Sequence, residues 1–192
     1  MTSRMTDTFA RVREAGRGGL VTYLTAGDPD RDRSEGLLRA VAQGGADVLE
    51  VGVPFSDPLA DGPVIQRATE RALAGGMTLG GTLDLIQRVR RQVGAPIVLF
   101  TYANPVLRMG VDTFARRAAD AAALTARVRA CTDMPTALGF GIATPDHVAE
   151  ACRNADAAVV GSALVNFVAE QADAGDVCER TSEYVRWLKS AL

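Results

Sequence analysis

Glu50 stands inside an apolar run, Asp47 to Val53 (DVLEVGV), between Leu49 and Val51. A carboxylate in such a strand costs several kcal/mol unless it is paired, neutralised or used. Burial raises its pKa toward the range of a general acid. The plainer alternative is a glutamate at the strand end that faces solvent or pairs with an arginine or lysine. Asp57 and Asp61 follow in PFSDPLADGP. Aspartate, proline and glycine are also the composition of an ordinary turn. A proline-stiffened loop can equally hold one carboxylate opposite another, and Glu50 with Asp61 would then form a separated acid/base pair.

Two glycine segments point to an anion. GFGIATP carries Gly139 and Gly141, and VVGSALV carries Gly161 and Ser162. Backbone N–H groups at glycine turns and helix N-termini favour phosphate. Either segment alone reads as a tight loop, and the two at successive units point to a phosphate site. A dinucleotide fingerprint is weak here, because Thr144 replaces the third glycine. The single histidine, His147, lies on a predicted helix and reads as a surface residue. Neither a histidine triad nor a multi-histidine metal site is therefore available. Cys131, Cys152 and Cys178 form no CxxC and read as buried reduced thiols.

These residues need a scaffold, and two periodicities alternate to supply it. Gly19 to Thr25, Asp47 to Val53, Pro96 to Tyr102, Pro135 to Phe140 and Ala157 to Val160 read as buried strands. Helical spacing runs over Asp32 to Gln43, Val64 to Leu73, Thr82 to Val93, Asp112 to Ala130, Pro145 to Asn154 and Asp176 to Leu192. Thr144 is placed to cap the helix that begins at Pro145. Strand followed by helix, repeated, means a parallel α/β sheet with helical crossovers. Ligands then sit at the carboxyl ends of the strands, where Glu50, Tyr102 and both glycine segments fall.

The net charge of -2 and the absence of a basic run argue against nucleic acid as a partner. The N-terminal MTSRMTDTFARVREAG has no apolar signal core, and no apolar run is long enough to span a membrane. A cytoplasmic location is expected.

The string LEVGVPFSDPLADGPVIQ, Leu49 to Gln66, resembles the signature region of the tryptophan synthase alpha subunit. TYLTAGDP (Thr22 to Pro29), TYANPV (Thr101 to Val106), GFGIATPDHV (Gly139 to Val148) and VVGSALV (Val159 to Val165) follow in that family's order. The resemblance implies a (β/α)8 TIM barrel of the phosphate-binding type. It implies a lyase that cleaves indole-3-glycerol phosphate to indole and glyceraldehyde 3-phosphate by a retro-aldol reaction in tryptophan biosynthesis. Glu50 matches the catalytic glutamate, which protonates indole C3 and helps the glycerol hydroxyl lose its proton. Asp61 matches the aspartate that accepts from the indole N–H. Tyr23, Ile65, Phe100, Tyr102 and Phe140 match the indole pocket, and Gly141, Gly161 and Ser162 match part of the phosphate site. No cofactor and no metal are implied in this subunit. Pyridoxal phosphate belongs to the expected partner, the beta subunit of an alpha2beta2 heterotetramer, toward which the loop with Asp57 and the turn at Asn104-Pro105 would face.

The chain departs from that pattern in its middle. Only 32 residues separate Val106 from Gly139, which is room for one crossover helix where the family carries three more strand-helix units. A whole barrel takes about 250 residues. The expectation is one incomplete barrel domain over residues 1–192, of about five units, with the join near Asp120–Leu124. Such a chain would leave two parallel sheet edges open. The alternatives to a working lyase are a catalytically impaired chain that only binds the beta subunit, and another phosphate-binding barrel enzyme.

Overall fold

A computed structural model describes residues 4–58, 61–110, 113–114, 137–139 and 141–192. Five strands form one all-parallel sheet: β1 (Gly19–Thr25), β2 (Val48–Gly52), β3 (Ile97–Phe100), β4 (Ala137–Leu138) and β5 (Ala157–Val160). Their spatial order is β3-β2-β1-β5-β4, so β1 is central and β3 and β4 lie at the two ends. This is an open arc among the described residues, as the sequence leads one to expect.

Eight helices are described: α1 (Arg4–Glu14), α2 (Arg31–Gln43), α3 (Pro63–Ala74), α4 (Leu79–Val89), α5 (Ala103–Met109), α6 (Pro145–Asn154), α7 (Ser162–Glu170) and α8 (Val177–Lys189). Local chemistry accounts for the starts of four of the eight. Asp30 accepts from the Arg33 amide at 2.8 Å, and Thr144 accepts from the His147 amide at 3.3 Å. Pro63 and Pro145 occupy the first turn, where a missing N–H leaves no bond unmade.

Some limits differ from those the sequence predicts. α4 starts at Leu79 because the Thr78 hydroxyl caps it from the Gly81 amide, and it gives way to a turn at 90–92 before Val93. Asn104-Pro105 is the first turn of α5 and not a free turn, with Tyr102 as its N-cap. β4 covers Ala137–Leu138 of the predicted Pro135 to Phe140, and Gly139 lies outside it. α1 and α7 were not legible as helices. The predicted helix Asp112 to Ala130, the join near Asp120–Leu124, Cys131 and Phe140 lie outside the described residues or almost wholly so.

The outward side chains of the strands, among them Leu20, Leu49, Val51 and Val160, pack under Leu37, Val41, Leu85, Val89, Leu164, Val185 and Leu188. The inner side of the lower sheet is closed by Val21, Val48 and Ala157, with Met5 and Phe9 of α1 packed on them. All seven residues of β1 are buried, whereas none of β3 is. Phe100, at its end, is 44% exposed.

At the amino ends of the strands, Asp47 holds the lower rim together. It accepts both guanidinium nitrogens of Arg17 at 2.8 and 2.9 Å, the Leu20 amide at 2.9 Å and the Lys189 ammonium at 3.0 Å. Burial pushes the Asp47 carboxyl up, but these donors outweigh it and hold it below the usual carboxylate range.

Candidate active site

Sheet register places the first group of site residues. Tyr23 on β1 stands beside Glu50 on β2, and Gly52 stands between Thr25 and Phe100. Neighbours in register share a face, so Tyr23, Glu50 and Phe100 all point to the concave side. The Tyr23 ring meets Phe100 edge-on, with centroids 6.2 Å apart. Its hydroxyl lies over Gly52, where an added Cβ would come within 2.1 Å of it. Gly52 therefore serves as the slot for Tyr23.

Asp61 and Ile65 enter from the loop and first turn of α3. The Gln66 side-chain amide donates to the Asp61 carbonyl at 2.8 Å and steadies that loop. The third wall comes from the glycine segments. Gly141 has φ +70, which favours glycine, and open space where a side chain would project. Gly161 precedes α7 and offers no side-chain cap. The amides of Ser162, Ala163 and Leu164 thus open the helix without intrahelical acceptors.

Together these groups line a cavity of about 500 Å³ that holds Tyr23, Glu50, Asp61, Ile65, Phe100, Gly141, Gly161 and Ser162. Eight of the ten residues expected at the site are thus brought together. Tyr102 does not line it. Its ring lies against Phe55, at 5.1 Å, and its side chain hydrogen-bonds Asp61. Phe140 falls outside the described residues. Ile142, Ala143, Val159 and Ala163 also line the cavity and were not singled out. Their only sequence signal is adjacency to the glycines. A larger groove, about 690 Å³, runs along the outer face of α7 and α8 past Phe167, Tyr184 and Trp187. It is far more open and holds none of the strand-end groups, so it is not the place for this chemistry.

The electrostatics separate the acids by role. Glu50 is half-buried, and burial alone pushes its carboxyl up. It has no hydrogen-bond or ion-pair partner among the described residues. Asp61 is also pushed up by burial, while the bond from Tyr102 pulls it back. Burial, opposed by the Thr25 contact and reinforced by the charges of Asp61 and Glu50, pushes the Tyr23 phenol up to about 12. Tyr23 is therefore a neutral wall. Asp57 is exposed and accepts from the Ser56 hydroxyl at 2.6 Å, away from the cavity. His147 is exposed on α6, as expected of a surface histidine. Cys152 and Cys178 are free thiols, half-buried and not fully buried. Among the described residues no group of three or more His, Cys, Asp or Glu could hold a metal, and no helix is long and apolar enough to cross a membrane.

A cavity with two raised carboxylates, aromatic walls and an uncapped helix start suits an apolar substrate carrying a phosphate. Comparison with known proteins agrees. The family pattern described as tryptophan synthase alpha chain matches residues 9–125 and again 116–192. The tryptophan synthase alpha chain of Solibacter usitatus is 35% identical over 262 aligned positions, covering 97% of each protein, although this chain has 192 residues. That of Burkholderia thailandensis is 58% identical over 120 residues, a match that spans 62% of this chain and 44% of the relative. The crystal structure of tryptophan synthase subunit alpha from Legionella pneumophila superposes with a TM-score of 0.87 at 27% identity, covering 100% of this chain and 98% of that one. The fold is accordingly that of the alpha-subunit TIM barrel, with the described strands forming an open arc, and the chain belongs to the tryptophan synthase alpha chain family.

Proposed function

We propose that this chain is a carbon–carbon lyase of tryptophan biosynthesis that splits indole-3-glycerol phosphate into indole and glyceraldehyde 3-phosphate. The observation that carries it is the meeting of Glu50 and Asp61, from two different elements, in one cavity with the start of α7. The indole ring lies against Tyr23, Ile65 and Phe100. The phosphate takes the amides at Gly161, Ser162 and Gly141, since the described lining has no lysine or arginine. Glu50, kept protonated more easily by burial, gives its proton to indole C3. Asp61 accepts from the indole N–H and stabilises the positive charge that forms there. The Glu50 carboxylate then takes the proton of the glycerol hydroxyl. Its O–H electrons become the aldehyde C=O, the bond to indole C3 breaks, and the released pair restores the aromatic ring. No cofactor enters this scheme. The partner is a beta subunit, which would carry pyridoxal phosphate in an alpha2beta2 assembly in the cytoplasm.

The chain is best read as one barrel domain that lacks a middle segment, joined near Asp120–Leu124. Support comes from the two family matches, which meet over residues 116–125, and from the 262 aligned positions against 192 residues. The open arc with half-exposed β3 favours a second reading, a chain that docks on the beta subunit without sealing substrate from water. Indole release from indole-3-glycerol phosphate, together with the intact mass, tests both. Release by a chain of 20.2 kDa supports the lyase. No release at that mass, with retained binding to a beta subunit, supports the docking role.

A further inference from the structure

Three walls of the cavity are held differently. Tyr23, Glu50 and Phe100 are held by sheet register, and the glycine wall adjoins β4 and β5. Asp61 and Ile65 hang on α3, whose buried residues are the small Ala68, Thr69 and Ala72. Small side chains do little to lock a helix against sliding. Near the far end of α3, Arg71 reaches back to the loop after β1. Its Nε donates to one Asp28 oxygen at 2.7 Å and its second guanidinium nitrogen to the other at 3.2 Å. Asp28 is only 4% exposed, so this carboxylate depends on the fork. The loop is seated as well. Gly27, at φ +86, has its amide on the Ser34 hydroxyl, and an added Cβ there would come within 2.8 Å of Met77 just beyond α3.

We propose that Arg71 is a positioning residue: by clamping Asp28 it fixes α3 against β1, and so sets Asp61 and Ile65 opposite Glu50. This rests on the lyase reading given above. A planar two-point contact resists both sliding and rotation of the helix, which a single charge contact does not. The expected consequence is local. Losing the clamp moves the indole-facing wall and leaves the phosphate-facing wall alone.

Two measurements on the full chain test this, using Arg71→Gln and Arg71→Lys. In amide hydrogen exchange, Arg71→Gln is expected to speed exchange over residues 61–66 by about tenfold while β2 and α8 stay unchanged, with Arg71→Lys between the two. Unchanged exchange at 61–66, or an equal rise throughout the chain, would overturn the proposal, the latter because it marks a merely structural role. In titrations, Arg71→Gln should weaken indole-3-glycerol phosphate by about tenfold and leave inorganic phosphate unaltered. Where the wild-type chain binds indole-3-glycerol phosphate, equal weakening of both, or of neither, overturns it too. A wild-type chain that binds no indole-3-glycerol phosphate, but shows the local exchange change, overturns the lyase reading and upholds the clamp.

Discussion

Asp47 stands just before one short strand and Glu50 lies within it, and the protein treats them in opposite ways. Asp47, at the amino end, is surrounded by Arg17, Lys189 and the Leu20 amide, and its carboxyl is held low. Glu50, nearer the carboxyl end, has no partner among the described residues, and burial holds its carboxyl high. One end of the strand uses charge to tie the turn before β1 and the last helix to the sheet. The other leaves a charge uncompensated where a substrate can use it. The difference is the usual division of a barrel, with stability at the bottom face and chemistry at the top.

The largest expected effect breaks the top of this comparison. Glu50→Gln keeps the shape and removes the transferable proton. Indole release should fall by at least about a hundredfold in a steady-state assay. Turnover close to wild type would remove Glu50 from the mechanism. Next, Asp47→Asn breaks the bottom. It should cost about 3 kcal/mol, because it leaves Arg17 and Lys189 without their counter-charge. In a thermal melt that is a drop of about 10 °C. The sign with pH follows from the depressed carboxyl. Its stabilisation is present above the ordinary aspartate range and is lost as pH falls through the lower folded value, so wild type and variant should converge in acid.

The same Glu50→Gln variant sharpens the comparison in stability. The raised Glu50 carboxyl favours the folded chain only while protonated, below the ordinary glutamate range. That contribution disappears as pH rises through the folded value. Glu50→Gln should therefore match or exceed wild type in melting temperature at neutral pH and lose that advantage in acid, opposite to Asp47→Asn. The smallest effect is spectroscopic. In an ultraviolet titration the Tyr23 phenol should ionise at about 12, and Tyr23→Phe should remove that step alone.

How far the sequence could be read depends on what surrounds each element. β1, β5 and α6 have the limits expected from their residues. Both strands lie inside the sheet, and the helix is bounded by a threonine cap and a proline. β3 is equally apolar in sequence but sits at an end of the described arc, where one described strand pairs with it. α1 carries few apolar residues, and it is held by packing of Met5 and Phe9 under the sheet. Within the site, Glu50 was legible because it is misplaced in an apolar strand, and the glycines because they recur. Tyr102 was legible as a site residue but not in its role, since only the folded loop turns it onto Asp61.

By itself the sequence determined the alternation of strand and helix, the family, the odd glutamate and the glycine turns. All of these are local patterns of residue type and spacing. Tertiary structure alone decided the pairings across long separations. Arg71 lies 43 residues from Asp28, and Lys189 lies 142 residues from Asp47. It also decided that Tyr23 rests over Gly52, that the uncapped start of α7 shares one cavity with Glu50, and that the far end of α3 is tied to the loop after β1. The physical reason is that a charge's partner and a carboxylate's desolvation depend on which surfaces the sheet register brings within a few ångströms. No periodicity in the chain encodes that register one residue at a time.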